Sequence, residues 1–189
     1  MSELAETIQE SVERGKGSNI NSRVAIFVAL TATFMALCNI KDGNIVQNMQ
    51  LAQANGVSAW DHYQAKSTKE ALATNTIELM QTIKVKVSDS DMKVLKQRVQ
   101  HYESDKEAIK KEAEGYQKEY DHLNMFDDQF DMTEALLSIS ISLFGITALT
   151  QKRWLLYFGA TLALIGLILG ICAFLGINLH SDFISKILG

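Results

Sequence analysis

Residues 154–177 read WLLYFGATLALIGLILGICAFLGI, and this stretch decides the fold class of the chain. It contains no charged residue, and a helix needs about 20 apolar residues to cross the hydrocarbon core of a bilayer. Two further stretches lack charge, VAIFVALTATFMALCNI at residues 24–40 and ALLSISISLFGITALTQ at residues 135–151, and both are near the short end of the range for a span. The sequence therefore predicts three transmembrane helices.

The chain of 189 residues contains no proline. Proline breaks helix interiors because it lacks a backbone donor and clashes with the preceding turn, so its absence favours a few long helices. The formal net charge of −4 gives no basic footprint for nucleic acid. Cys38 and Cys172 are isolated within apolar runs, so they provide neither a disulfide framework nor a zinc motif.

Basic residues in short loops indicate the orientation of the spans. A three-span topology places the segment before the first span and the turn between the second and third on the same side of the membrane, and both contain basic residues. These residues are Arg14, Lys16, Arg23, Lys152 and Arg153. We therefore expect a cytoplasmic N-terminus. A long polar segment precedes the first span and no A-x-A cleavage site follows it, which favours an uncleaved anchor over a signal peptide.

The segment that enters the second span has a coiled-coil pattern. Apolar residues alternate at spacings of three and four, and only Lys106 and Asp127 interrupt the stripe. Its positions are Met92, Leu95, Val99, Tyr102, Lys106, Ile109, Ala113, Tyr116, Tyr120, Leu123, Asp127 and Phe130. We expect one helix from this stripe into the span.

The preceding residues 44–87 also have helical periodicity. One apolar face is expected to pack against the returning helix, and it consists of Ala65, Leu72, Thr76, Leu79 and Ile83. Asn55-Gly56 either kinks, interrupts or leaves intact this ascending helix. Ser88 and Asp91 fit a capping box, which places the turn near residues 88–91.

The predicted fold is an all-α membrane protein with three transmembrane helices. A long extramembrane antiparallel helical hairpin, coiled-coil-like, separates the first span from the second. The expected segments are an amphipathic N-terminal segment at 1–22, spans at 23–40, 134–150 and 154–177, the periplasmic hairpin at 41–133, a cytoplasmic turn at 151–153 and an interfacial tail at 178–189.

The stretch SAWDHYQAKSTK, residues 58–69, contains the residue types of an active site. On a helix its polar side chains diverge, since adjacent residues point about 100° apart, and no nucleophile and base share a face. One coherent face remains, which we predict to bind a partner: Trp60, Tyr63, Ser67 and Ala71. We expect no enzymatic activity, no cofactor and no metal centre.

Small residues recur at spacings of three and four within the spans, which lets helices approach closely in lipid. The expected packing residues are Gly159, Ala163, Gly166, Gly170, Ser138, Ser142 and Gly145. An acidic patch precedes the second span, and its candidate cation-binding residues are Asp127, Asp131 and Glu134. The sequence favours interpreting these acids as a solvated collar at the membrane surface, and cation binding is the alternative.

The chain resembles a bacterial family of uncharacterised inner-membrane proteins, domain of unknown function 4337. The resemblance covers about residues 20 to 177. The motifs that carry it are Trp60 with Tyr63-Gln64-Ala65-Lys66-Ser67, Asn21-Ser22-Arg23-Val24, His101-Tyr102-Glu103 and Lys152-Arg153-Trp154. It implies a bacterial inner-membrane protein and transfers neither an activity nor catalytic residues.

The sequence thus favours a non-enzymatic structural or interaction protein of the inner membrane. It would form a homo-oligomer through its periplasmic hairpin and its small-residue transmembrane faces, with the lipid bilayer and an envelope protein as further partners. The alternative is an oligomeric ion channel, in which a polar stripe of Ser138, Ser142 and Thr147 lines a pore below an acidic ring.

Overall fold

The computed structural model describes residues 19–84 and 87–179, and its regular structure there consists of helices alone. They are α1 (Asn19–Thr82), α2 (Asp89–Thr150) and α3 (Arg153–Phe174). Each is long and apolar enough to cross a membrane. The prediction of an all-α chain with three such helices is confirmed. The expected N-terminal segment and the interfacial tail fall largely outside the described residues.

Helix α1 passes through Asn55-Gly56 without a break, which resolves the alternatives left open by the sequence. A glycine inside a helix costs about 1 kcal/mol relative to alanine, and the flanking turns supply enough hydrogen bonds to continue. A Cβ atom at Gly56 would lie 3.6 Å from the Cβ of Tyr116, which is an ordinary contact distance. The first apolar stretch and the segment that follows it to Thr82 are therefore one helix of 64 residues.

The connection between α1 and α2 ends in a helix cap at Ser88. Its Oγ accepts a hydrogen bond from the Ser90 amide at 3.3 Å, and its carbonyl accepts from the Asp91 and Met92 amides at 3.0 Å. A serine side chain at this position satisfies a first-turn donor that has no partner within the helix. A cap at Ser88 agrees with the prediction from sequence. The turn lies slightly before the predicted residues 88–91, because α1 ends at Thr82 and α2 begins at Asp89.

The turn between α2 and α3 is short and held by Gln151. This residue has a positive φ of 54°. Its Nε2 donates to the Ala148 carbonyl and to Oδ1 of Asn21, both at 2.6 Å. The side chain thus compensates for a backbone conformation that few residues other than glycine adopt.

The chain divides into two compact units. The three-helix unit comprises Met1–Val46 and Asn124–Gly189, and the two-helix unit comprises Gln47–Leu123. Within the three-helix unit, α2 supplies the most deeply buried large side chains, which are Phe130, Leu137 and Phe144. The Phe144 ring stacks on Phe27 of α1 with 5.5 Å between centroids.

Within the two-helix unit, the predicted α2 stripe from Met92 to Leu123 is buried or half-buried at every position. The face predicted for α1 is wrong. Leu72, Leu79 and Ile83 are 67%, 61% and 59% exposed. The α1 face that is withdrawn from solvent, here called the inner stripe, consists of Met49, Ala52, Gly56, Ala59, Tyr63, Lys66, Glu70, Ala73, Ile77 and Met80.

One physical reason for the difference is that most positions of the inner stripe are small residues or long charged ones. Alanine and glycine let the helix backbones approach closely. Lys66 and Glu70 bury their aliphatic stems and find charged partners on α2. A hydrophobicity pattern selects the leucines instead, which lie on the opposite side of α1.

Candidate functional site

Two ion pairs join α1 to α2 in the two-helix unit. Lys66 Nζ donates to Oδ2 of Asp105 at 2.5 Å, and Lys106 Nζ donates to Oε2 of Glu70 at 2.6 Å. All four side chains are half-buried. The hydrogen bond from Lys66 lowers the pKa of the Asp105 carboxyl, and the bond to Glu70 raises the pKa of Lys106. These pairs fix the register of the two helices.

Lys66 is therefore held as a structural cation. Its ammonium group lies 5.6 Å from the centre of the Tyr102 ring, in addition to its bond with Asp105. The Asp105 carboxylate also lies 3.4 Å from Nε2 of His101. The sequence contained a signal for the other pair, because Lys106 is a charged residue on the apolar stripe of α2 and such a residue favours an opposite charge on the facing helix.

The four residues of the predicted partner-binding face have different environments. Trp60 and Ala71 are exposed, whereas Tyr63 and Ser67 are half-buried. The Trp60 and Tyr63 rings meet edge to face, with 5.5 Å between centroids and 78° between planes. Tyr63 belongs to the inner stripe, so the exposed part of the predicted face is centred on Trp60.

Trp60 lines a groove of about 270 Å³ in the two-helix unit. Its lining combines small residues with aromatic and amide side chains. The lining residues are Ala52, Gln53, Gly56, Val57, Trp60, Ala113, Tyr116, Gln117 and Tyr120. The hydroxyl of Tyr116 donates to Glu112 at 3.3 Å, and the negative charge of Glu112 raises the pKa of the phenol.

The acidic patch includes a residue that sequence reasoning missed. Asp42 of α1 lies close enough to Asp127 of α2 for the two carboxyl groups to interact electrostatically. Burial, followed by the charge of Asp127, raises the pKa of Asp42 to about 7, and burial, followed by Asp131, raises the pKa of Asp127. Oδ1 of Asp42 is buried without a hydrogen-bond partner among the described residues. The signal available was that Asp42 follows the first predicted span by two residues, much as Asp131 precedes the second by three.

The other predicted cation ligands differ in exposure, since Asp131 is exposed and Glu134 is half-buried. Among residues 19–84 and 87–179, no three His, Cys, Asp or Glu side chains are grouped so that they could hold a metal ion. The arrangement brings acids of α1 and α2 together at the edge of the spans, and cation binding by Asp127, Asp131 and Glu134 stays a prediction.

The glycines of α3 are packed within the three-helix unit. A Cβ atom would lie 2.9 Å from the Phe144 ring at Gly159, 3.1 Å from Leu137 at Gly166, and 2.8 Å from the Phe34 ring at Gly170. A methyl group at Gly159 or Gly170 would therefore require its neighbours to shift, and one at Gly166 would require them to yield by a few tenths of an ångström. Ala163, the remaining predicted residue of this helix, is half-buried.

The small residues of α2 have the opposite environment. Ser138, Ser142 and Gly145 are exposed, and a Cβ atom at Gly145 would meet nothing within 4 Å. Thr147 was expected on the same polar stripe, and that expectation is wrong. Its side chain is fully buried, and its hydroxyl donates to the Leu143 carbonyl at 2.8 Å.

Gln129 is a second residue that the sequence did not reveal. Its side chain is buried and all of its polar groups are used within the three-helix unit. Nε2 donates to the carbonyls of Leu169 at 2.9 Å and Ile177 at 3.4 Å, and Oε1 accepts from the Leu179 amide at 3.1 Å. Gln129 thus holds the end of α3 against α2.

A family described as a domain of unknown function (DUF4337) matches residues 20–176. The chain belongs to the DUF4337 family. The match includes all of α2 and α3 and nearly all of α1, so it covers both units of this DUF4337 protein. It confirms the resemblance drawn from the Trp60 and Tyr63-to-Ser67 motif. Searches of curated proteins and of solved structures returned no match.

Proposed function

We propose that this DUF4337 protein is a non-enzymatic structural protein of the bacterial inner membrane that associates with copies of itself. The observation that carries the proposal is the exposed surface in each unit. Leu72 and Leu79 of α1 face outward in the two-helix unit, and Ser138, Ser142 and Gly145 of α2 face outward in the three-helix unit. Both surfaces are of the kind that helices bury on association.

In this proposal, residues 41–133 form an antiparallel helical hairpin outside the membrane. Three contacts within the two-helix unit support it. Gly56 lies next to Tyr116, Lys66 bonds Asp105, and Glu70 bonds Lys106. A low residue number in α1 thus pairs with a high number in α2, as expected for two helices joined by the short connection at residues 83–88.

Within the SAWDHYQAKSTK stretch, the surroundings of Lys66 support a structural role. Lys66 is engaged in an ion pair that joins two helices. An enzyme that used Lys66 as a nucleophile or base would need the amine released from Asp105. The Trp60 groove then serves as the surface for an envelope protein, while the spans and the outer face of α1 serve self-association.

The test is recovery of one tagged copy with another. Two differently tagged versions of the full chain are expressed together in bacteria and extracted in mild detergent. We expect the second tag to copurify with the first when the two are expressed together. Mixing separately prepared extracts is the control for association after lysis. Copurification no greater than in this control would refute the proposal.

A second candidate function, an ion channel, is favoured by one α2 face. Asp131, Ser138, Ser142 and Gly145 are all exposed, and their spacings of seven, four and three place them on one side of the helix. In an oligomer this face would line a pore with an acidic ring at its mouth. Purified protein in liposomes should then conduct cations, and Asp131→Asn should lower the conductance. Liposomes without conductance would exclude this function.

A further inference from the structure

A groove of about 390 Å³ lies between α1 and α3 in the three-helix unit, close to where both helices begin. We call it the α1–α3 groove. Its lining residues are Arg23, Ile26, Phe27, Leu156, Tyr157 and Ala160. We propose that this groove binds one phospholipid with an anionic headgroup. The inference rests on the proposed membrane location of the chain and is independent of its proposed self-association.

The contacts at this end of the three-helix unit hold the first turns of α1 and α3 side by side. Val24 of α1 and Leu156 of α3 belong to one buried core cluster. The Gln151 side chain ties the turn before α3 to Asn21 of α1 by a hydrogen bond of 2.6 Å. Arg23 is itself exposed, so its guanidinium is accessible to a ligand in the groove that it lines.

The helix ends around the groove are positively charged. Arg23, Lys152 and Arg153 are all exposed there. Residues 19–41 and 135–179 contain no aspartate or glutamate, so these parts of the three helices supply no carboxylate to neutralise the cations. A basic pocket between transmembrane helices attracts the anionic headgroups of lipids. This charge favours an anionic phospholipid over a zwitterionic one.

A second groove, of about 180 Å³, adjoins the first along the same two helices. The two grooves share Phe27 and Ala160 as lining residues, and Thr31 is the one polar residue that lines the second. From Arg23 to Phe34, α1 rises about 16 Å at 1.5 Å per residue. Half of the hydrocarbon core of a bilayer is about 15 Å thick. The combined trough is therefore as long as the acyl region of one leaflet.

The order of polarity along the trough is that of a phospholipid molecule. Arg23 comes first on α1, and the apolar Ile26 and Phe27 follow it. Arginine suits the first position because its planar guanidinium binds two phosphate oxygens at once. A phosphate held there leaves an acyl chain alongside the apolar residues. A helix of a second copy in the same orientation fits less well, because it brings its own basic end to the same depth and like charges repel.

The experiment uses the full chain with Trp60→Phe, which leaves Trp154 as its one tryptophan, next to the groove that Leu156 lines. The protein is reconstituted into vesicles of equal amounts of phosphatidylglycerol and phosphatidylcholine. In each of two series, one of the two lipids has brominated acyl chains, which quench tryptophan fluorescence at short range. We expect phosphatidylglycerol to be favoured beside Trp154 about fivefold, the contribution of one basic side chain next to anionic lipid.

Two matched variants locate the source of this preference. Arg23→Gln removes the cation of the groove and should abolish most of the preference for phosphatidylglycerol. Lys152→Gln removes the same charge from an exposed side chain that neither lines the groove nor makes a capping hydrogen bond to α3. It should change the preference less than twofold. Circular dichroism checks that both variants keep their helices.

Equal quenching by the two lipids in the Trp60→Phe protein would overturn the proposal, because the groove would then hold ordinary bilayer lipid. An equal loss of preference in Arg23→Gln and Lys152→Gln would also overturn it, since the preference would then come from the general charge of this end of the chain. If tagged copies do not copurify but the preference depends on Arg23, self-association fails and the lipid site stands. A chain that does not insert into the vesicles would overturn both the membrane location and the lipid site.

Discussion

Replacing Gly170 by alanine tests the packing of α3 in the three-helix unit. The new methyl group would lie 2.8 Å from Cε1 of Phe34 and 2.9 Å from Cγ2 of Thr133. Thr133 is fully buried, and its hydroxyl already donates to the Gln129 carbonyl at 2.9 Å, so its methyl group has no free rotation to give way. Overpacking of this kind costs about 1–3 kcal/mol.

The matched control is Gly145→Ala on α2, where a Cβ atom would meet nothing within 4 Å. Unfolding of both variants in mild detergent is followed by circular dichroism as a denaturing detergent is added. We expect Gly170→Ala to lower the free energy of unfolding by about 1–3 kcal/mol and Gly145→Ala to leave it unchanged or raise it by up to about 1 kcal/mol. Equal stability of the two variants would contradict the packing of α3 described above.

Three further predictions concern single residues. The folded chain raises the pKa of Asp42 from 3.8 to about 7, so between these values the folded state holds a proton that the unfolded state has released. Stability should therefore fall as the pH rises through this window. In detergent unfolding, Asp42→Asn should reduce this dependence of stability on pH. Gly56→Ala should raise the free energy of unfolding by up to about 1 kcal/mol, since the added methyl group fits beside Tyr116, and a thermal melt showing a loss would be the contrary result. Gln129→Leu removes the acceptor of the Leu179 amide and the side-chain donor to the Leu169 carbonyl, and should cost about 1–3 kcal/mol in the same unfolding assay, with little loss expected for Gln117→Leu on the exposed side of α2.

The α2 stripe could be predicted from the sequence because apolar residues occupy nearly all of its positions. The same reasoning failed for α1, whose inner stripe uses Ala59, Lys66 and Glu70 while its leucines face outward. The free energy that selects this face comes from close backbone approach and from paired charges. Both depend on the facing helix, and a periodicity within one helix does not contain that information.

The candidate sites show the same limit. The acids that precede the second span were visible in the sequence, but their neighbour Asp42 comes from a different helix. Gln129 lies between Asp128 and Phe130 with no pattern that marks it as buried, and its role depends on the end of α3. By contrast, the scatter of polar residues in SAWDHYQAKSTK followed from helix geometry alone.

The subunit count of the intact protein tests the central claim most directly. The full chain is extracted in mild detergent and its mass is measured by native mass spectrometry after release from the micelle. The account predicts a complex of two or more chains that Leu72→Asp dissociates and Val94→Asp leaves intact. A single chain in the wild-type sample, at every detergent that keeps the helices folded, would contradict it.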